Sequence, residues 1–417
     1  MSSKVKTLSV LNILILVNMT VMISDYKIIS NKVGAVCTLL IMFLLLIYNH
    51  GKVSYQKFES RLVLSIFAFL TYYTATSLIN GSVVNLFETL LYFLIEFSSI
   101  FIYLYFLKKG SLANQNILLL IFFIVWDFFC IIAIINYLST PNLARLMAAY
   151  RASYASLIIG GGYPMAYGSA ILSVYLLQTF LENKYIGGIY RFLIILEMLL
   201  LTVLVYFTNS FVILISMLLG YILCLVRHSV KGSLYIIPMV FLFTVLLVLY
   251  LNIDSVLEWL INITDNEFIE KRLYEIYNLV ANDVTSFHLG KRSDLYKMSI
   301  DSFMQYPIFG VGYSFGNLGS LQRSNGVGAH STIFDSLAQY GLLGAIPLFG
   351  IILYPYFHNR NMKFSSTYLI SFMLMLFLNP CFTTYHCLLV VYLIIPIMQS
   401  IIEAKKGNAV QTMKKLC

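Results

Sequence analysis

The chain has 417 residues, of which 60% are hydrophobic and 11% charged, with a mean hydropathy of +0.85. That balance excludes an ordinary soluble enzyme and leaves no domain-sized polar stretch, so residues 1–417 read as a single integral membrane domain. The net charge of +9 would suit a nucleic-acid binder, but the basic residues sit in short stretches between apolar runs. Membrane topology accounts for that pattern, and no nucleic-acid partner is expected.

Apolar runs long enough to cross a bilayer as helices recur from end to end. The spacing predicts an all-α polytopic protein of about twelve spans, near 8–24, 33–48, 62–79, 83–106, 117–138, 163–181, 192–208, 210–226, 234–252, 337–357, 365–379 and 383–402. The first run follows MSSKVK without a small-residue cleavage motif, which predicts a retained helix. An N-terminus in the cytoplasm puts 17 of the 27 Lys and Arg residues on the cytoplasmic side, the orientation favoured by the positive-inside rule. Both termini are then cytoplasmic.

Two external segments follow from this layout. The smaller covers residues 139–162. The larger covers 253–331, too long for a structureless loop, so short helices are expected within it. Phe268, Ile269, Leu273, Ile276, Tyr277 and Val280 follow a helical period and predict an amphipathic helix at the membrane surface. Ser293 to Gln305 reads as a second helix ended by Pro307. Thr332, with Asp335 three residues on, reads as the start of a third, which Gly341 and Gly344 break before the next span.

The candidate chemistry lies on the external side. Arg145, Arg151, Arg292 and Arg323 share that side with Lys291, and paired guanidinium groups can hold a diphosphate through bidentate hydrogen bonds. His330 stands among glycines just before a helix start, where an imidazole can serve as general base near neutral pH. His386, in or next to the last span, reads as a core group. Glu88, Glu96, Asp127 and Glu197 fall within predicted spans, where a charge costs at least ~2.5–3.5 kcal/mol, so they are intramembrane polar candidates. The six cysteines show no metal or disulfide spacing and read as buried small hydrophobes. No HExxH, DxD, P-loop or GxSxG occurs, and no residue cluster calls for a metal or another cofactor.

The pattern RSDLYK, then YPIFGVGYSFG, then HS followed by LAQYGLLGAIPL resembles the O-antigen ligase/polymerase superfamily. The resemblance runs through Arg292, Pro307, Gly310, Gly312, His330, Gly341 and Gly344. It implies a metal-independent, GT-C-like membrane glycosyltransferase acting on undecaprenyl-diphosphate-linked oligosaccharides at the outer face of the bacterial cytoplasmic membrane. The implied donor and acceptor are such lipids, and a chain-length regulator is an implied protein partner. Polymerases of the Wzy type carry R-x10-G motifs in two external loops. Arg151 to Gly162 has that spacing, whereas Phe303 stands at the corresponding place after Arg292. His330 is followed by Ser331 where Asn is commoner, and TNSF at 208–211 lacks the Ser-Arg pair of many ligases. The favoured reading is therefore a Wzy-type polymerase making O-antigen or capsular polysaccharide. Arg151 and Arg292 hold the donor diphosphate, Arg323 is a weaker contact, and His330 acts on the acceptor hydroxyl. The alternatives are an O-antigen ligase transferring glycan to lipid A–core and, outside enzymes, a flippase or other transporter of lipid-linked oligosaccharide.

Overall fold

The computed structural model describes residues 3–23, 36–41, 57–79, 93–103, 112–140, 143–149, 162–183, 187–229, 253–264, 287–311, 326–358, 367–382 and 384–404, with positions 33, 43, 86, 90, 270–271, 273–274 and 277. Every regular element among the described residues is helical. In chain order these are α1 (Ser3–Ile23), α2 (Lys57–Ile79), α3 (Phe93–Tyr103), α4 (Leu112–Ser139) and α5 (Leu143–Ala149). Next come α6 (Tyr163–Glu182), α7 (Gly188–Phe207), α8 (Phe211–Ser229) and α9 (Ile253–Asn262). The last four are α10 (Phe287–Gln305), α11 (Thr332–His358), α12 (Thr367–Leu378) and α13 (Tyr385–Ala404).

Seven of these, α2, α4, α6, α7, α8, α11 and α13, are long and apolar enough to cross a membrane, and α1, α3 and α12 contribute shorter apolar helices. Most of the expected spans thus fall on helices. The span expected at 234–252 lies outside the described residues, and the one at 33–48 is described mainly over 36–41.

α6 is the centre of the bundle, with α7, α8, α12 and α13 packed around it. Its small residues allow that crowding: a Cβ at Gly168 would stand 2.8 Å from the Trp126 ring of α4 and 3.1 Å from the His386 carbonyl of α13. Several polar groups inside the bundle are paired across helices, where there is no water to satisfy them. Tyr221 of α8 bridges Ser173 of α6 and Thr202 of α7. Thr367 of α12 donates to Gln178 of α6 at 3.0 Å and shares a 2.8 Å contact with Cys224. Asn18 of α1 donates to Ser98 of α3 at 2.9 Å.

The two ends of the bundle are distinct. Glu182 pairs with Arg227 at 3.5 Å, and Arg191 donates to the Asn183 carbonyl, so the last turns of α6 and α8 meet the start of α7. At the opposite end Tyr137 accepts from the Gly162 amide, His386 meets the Ile23 carbonyl at 3.0 Å, and Thr332 donates to the Asn379 carbonyl. His386 is buried at 1% exposure, as a core histidine should be. Five cysteines are buried and free, which fits the sequence reading; Cys417 lies outside the described residues.

Candidate functional site

The site is built on α10 and the start of α11. α10 begins at Phe287, six residues before the helix predicted from Ser293, and ends as expected before Pro307. It lies against α11 through Ser299, which is fully buried, and through Tyr296. The Tyr296 ring packs at a tilt against Phe334 with centroids 5.8 Å apart, and its hydroxyl donates to the Leu378 carbonyl of α12 at 3.1 Å.

Residues 326–328 run back along α10, from its C-terminal end toward its N-terminal end. Ser302 donates to the Gly326 carbonyl at 2.6 Å. One turn earlier, Ser299 accepts from the Gly328 amide at 2.8 Å. Gly328 lies so close to the Leu295 carbonyl that a side chain there would strike it. His330, two residues on, is half-buried. Arg292 belongs to the same helix α10, seven residues before Ser299, which is about 10 Å along the axis. His330 Nδ1 is 2.7 Å from the Ala329 carbonyl. A carbonyl can only accept, so Nδ1 carries a proton, and in a neutral ring the proton-accepting nitrogen is then Nε2.

The helix after His330 starts at Thr332, as predicted, but the capping residue is Ser331. Its hydroxyl accepts from the Phe334 amide at 3.3 Å, while Thr332 turns to the Asn379 carbonyl at 3.0 Å. Asp335 reaches back to the Ser331 amide at 2.7 Å, in the manner of a capping box.

Gly341 breaks α11 as expected, with φ 55 and ψ −168. Gly344 does not: the helix runs through it, and its missing side chain admits the Tyr72 ring of α2. The Pro307–Gly310 turn fills the break at Gly341. Leu342 and Leu343 donate to the Pro307 and Ile308 carbonyls at 2.8 and 3.1 Å, and Val311 donates to the Ala338 carbonyl at 2.9 Å. A Cβ at Gly310 would stand 2.5 Å from the backbone of Gln339 and Gly341. The glycine motif after α10 and the glycine motif in α11 are thus two halves of one joint, and their first task is to let two backbones touch.

The other candidates are placed unevenly. Arg145 lies in α5, at the His330 end of the bundle, where Leu143 and Ala144 of the same short helix are buried. Arg151, Arg323 and Glu88 lie outside the described residues. Of the predicted surface helix, Leu273 is buried against Leu257 and Ile261 of α9 with Tyr277 alongside; Phe268, Ile269, Ile276 and Val280 fall outside the described residues.

Asp127, midway along α4, lies beside Glu197 of α7, so two of the intramembrane acids meet where these helices pack. Glu96 is 1% exposed. It lies near Tyr340, whose ring meets Phe69 edge-on at 5.2 Å.

Burial, with Cys387 next to it, pushes the Cys381 thiol well above its usual range.

An open groove of about 600 Å³ follows the other side of α10, lined by Asp294, Lys297, Asp301, Gln305, Tyr306, Ser302 and Gly326. It carries donors, acceptors and an aromatic ring, and Gly326 connects it to the His330 segment.

A helical membrane protein with a broken span, and a histidine loop laid along a neighbouring helix, is the class these features define. Residues 196–349 match the family model for the O-antigen ligase domain (Wzy_C), consistent with a member of the O-antigen ligase/polymerase superfamily. The match runs from α7 into α11 and takes in Arg292, the joint at Gly310 and Gly341, and His330. Members of this family are membrane glycosyltransferase-type enzymes, polymerases and ligases alike. No curated protein matches the chain.

Sequence reading missed Ser299 and the wider role of Asp335. The only signal was the S-T-I-F-D spacing after His330, which reads equally as a plain helix start.

Proposed function

We propose that the chain is a Wzy-type, GT-C-like polysaccharide polymerase that joins undecaprenyl-diphosphate-linked repeat units into O-antigen or capsular polysaccharide at the outer face of the cytoplasmic membrane. The observation that carries this reading is the docking of residues 326–328, just before His330, on α10, the helix that includes Arg292. Gathering of the helix ends at Tyr137, Asn379 and His386 on that side supports one shared external face.

Arg151 and Arg292 hold the donor's diphosphate, with Arg323 and Arg145 as further contacts. An acceptor sugar hydroxyl attacks the anomeric carbon of the donor. The bond from that carbon to the diphosphate oxygen breaks, and undecaprenyl diphosphate leaves with the electron pair. The hydroxyl proton passes to His330 Nε2, and the fixed cations stabilise the charge that develops on the leaving group. The partners are the two lipid-linked saccharides, the surrounding membrane lipids and a chain-length regulator.

The test uses cells that display each variant at normal level. His330→Ala and Arg292→Ala should abolish the polymer ladder while single lipid-linked repeat units accumulate. Polymer of normal length and amount in both variants would refute the reading. The ligase reading is favoured by the matching family, that of the O-antigen ligase domain; accumulation of long lipid-linked chains in the same variants would select it.

A further inference from the structure

Asp335 does more than close a helix end. It is 8% exposed, and its two oxygens serve different elements. Oδ1 accepts from the Ser299 hydroxyl of α10 at 2.6 Å, and Oδ2 accepts from the Ser331 amide at 2.7 Å. The Ser331 bond by itself would close the helix; the Ser299 bond ties the same carboxyl group to α10. Ala329, one residue before His330, takes φ 57, a left-handed conformation unfavourable for a non-glycine residue. Ser299, which donates to Asp335, also accepts from Gly328. The whole segment 328–331 is therefore pinned to α10 through one serine and one aspartate.

We propose that Asp335, held by Ser299, is a positioning residue for His330: it fixes the imidazole relative to α10 and so to the helix that carries Arg292. The proposal rests on the reading of His330 as the group that takes the acceptor's proton. Asp335 touches no substrate in this scheme. It sets where Nε2 stands, and a displacement of about 1 Å at a reacting group is worth about a hundredfold in rate.

The experiment uses full-length protein in lipid nanodiscs with undecaprenyl-diphosphate-linked repeat unit. Asp335→Asn keeps the shape but turns one acceptor into a donor; Ser299→Ala removes the tie to α10 and leaves the Ser331 cap intact. Asp335→Asn should lower kcat about a hundredfold and Ser299→Ala about tenfold, with KM within about twofold. Diethylpyrocarbonate supplies a readout that needs no turnover. Both variants should change the modification rate of His330 severalfold and leave that of exposed His228, at the far end of α8, as in the wild type. If Asp335→Asn does not reach the membrane, Ser299→Ala decides. Wild-type kcat and wild-type His330 labelling in the variants, with His330→Ala inactive, would overturn the positioning role and leave the glycosyl-transfer reading standing. Full activity of His330→Ala would remove that reading, and the task of Asp335 with it.

Discussion

In α6 the residues buried include Ala166, Gly168, Ala170, Ile171, Leu172 and Val174, and 78% of the helix is enclosed by its neighbours. The contacts are many, mostly apolar and spread along twenty residues. The corner where α10 meets α11 is built differently: Ser299, Asp335 and Tyr296 make a few directed bonds, and two glycines let a turn dock into a helix break. Dispersion and close packing hold the first region, so no one contact there sets the position of another group. In the corner two of the bonds fix the backbone amides of Gly328 and Ser331, on either side of His330. Stability and geometry are thus assigned to different parts of the same bundle.

Core and corner variants should separate along that line. Trp126, fully buried on α4 between Phe122 and His386, should give the largest loss of stability: Trp126→Ala is expected to cost about 3–5 kcal/mol. Thermal unfolding in detergent would show it, while polymer formed per surviving molecule stays near wild type. A lost activity at unchanged melting temperature would erase the distinction between the two regions.

Gly341→Ala should come next. It places a side chain in a conformation open almost only to glycine, at about 1–3 kcal/mol, and drives it into the Ile308 carbonyl. Both stability and polymer should fall, because the joint at Gly310 opens and α10 moves with it. An unaffected ladder with a lowered melting temperature would show that the joint only stabilises.

Tyr296→Phe should be the mildest in stability, removing one bond to the Leu378 carbonyl at about 1 kcal/mol while keeping the ring against Phe334. Initial rates of ladder formation should drop a few-fold, and a rate equal to wild type would place Tyr296 with the core.

Much of this was legible in the chain. Apolar runs of bilayer length mark helices wherever they occur, since a backbone in lipid must satisfy its own hydrogen bonds; α4, α6, α7, α8, α11, α12 and α13 follow from that alone. Pro307 ends α10 and Gly341 breaks α11 for local reasons of φ and missing donors. Gly344 looked like a second break because glycine permits one, but its smallness serves Tyr72 on a helix more than 250 positions away. Likewise Thr332 and Ser331 are equivalent caps by sequence, and Asn379 decides between them by claiming the Thr332 hydroxyl.

The sequence by itself determined an all-helical membrane chain, the identity of His330 and Arg292 as candidates, and the two glycine motifs, because hydropathy, turn chemistry and residue type are local properties. Only the tertiary structure decided that the two glycine motifs form one joint, that Asp127 meets Glu197, and that Ser299 and Asp335 pin the His330 segment to α10. Each of these pairs residues far apart in the chain, and hydrogen bonds at 2.6–2.8 Å form only once packing has brought the helices together.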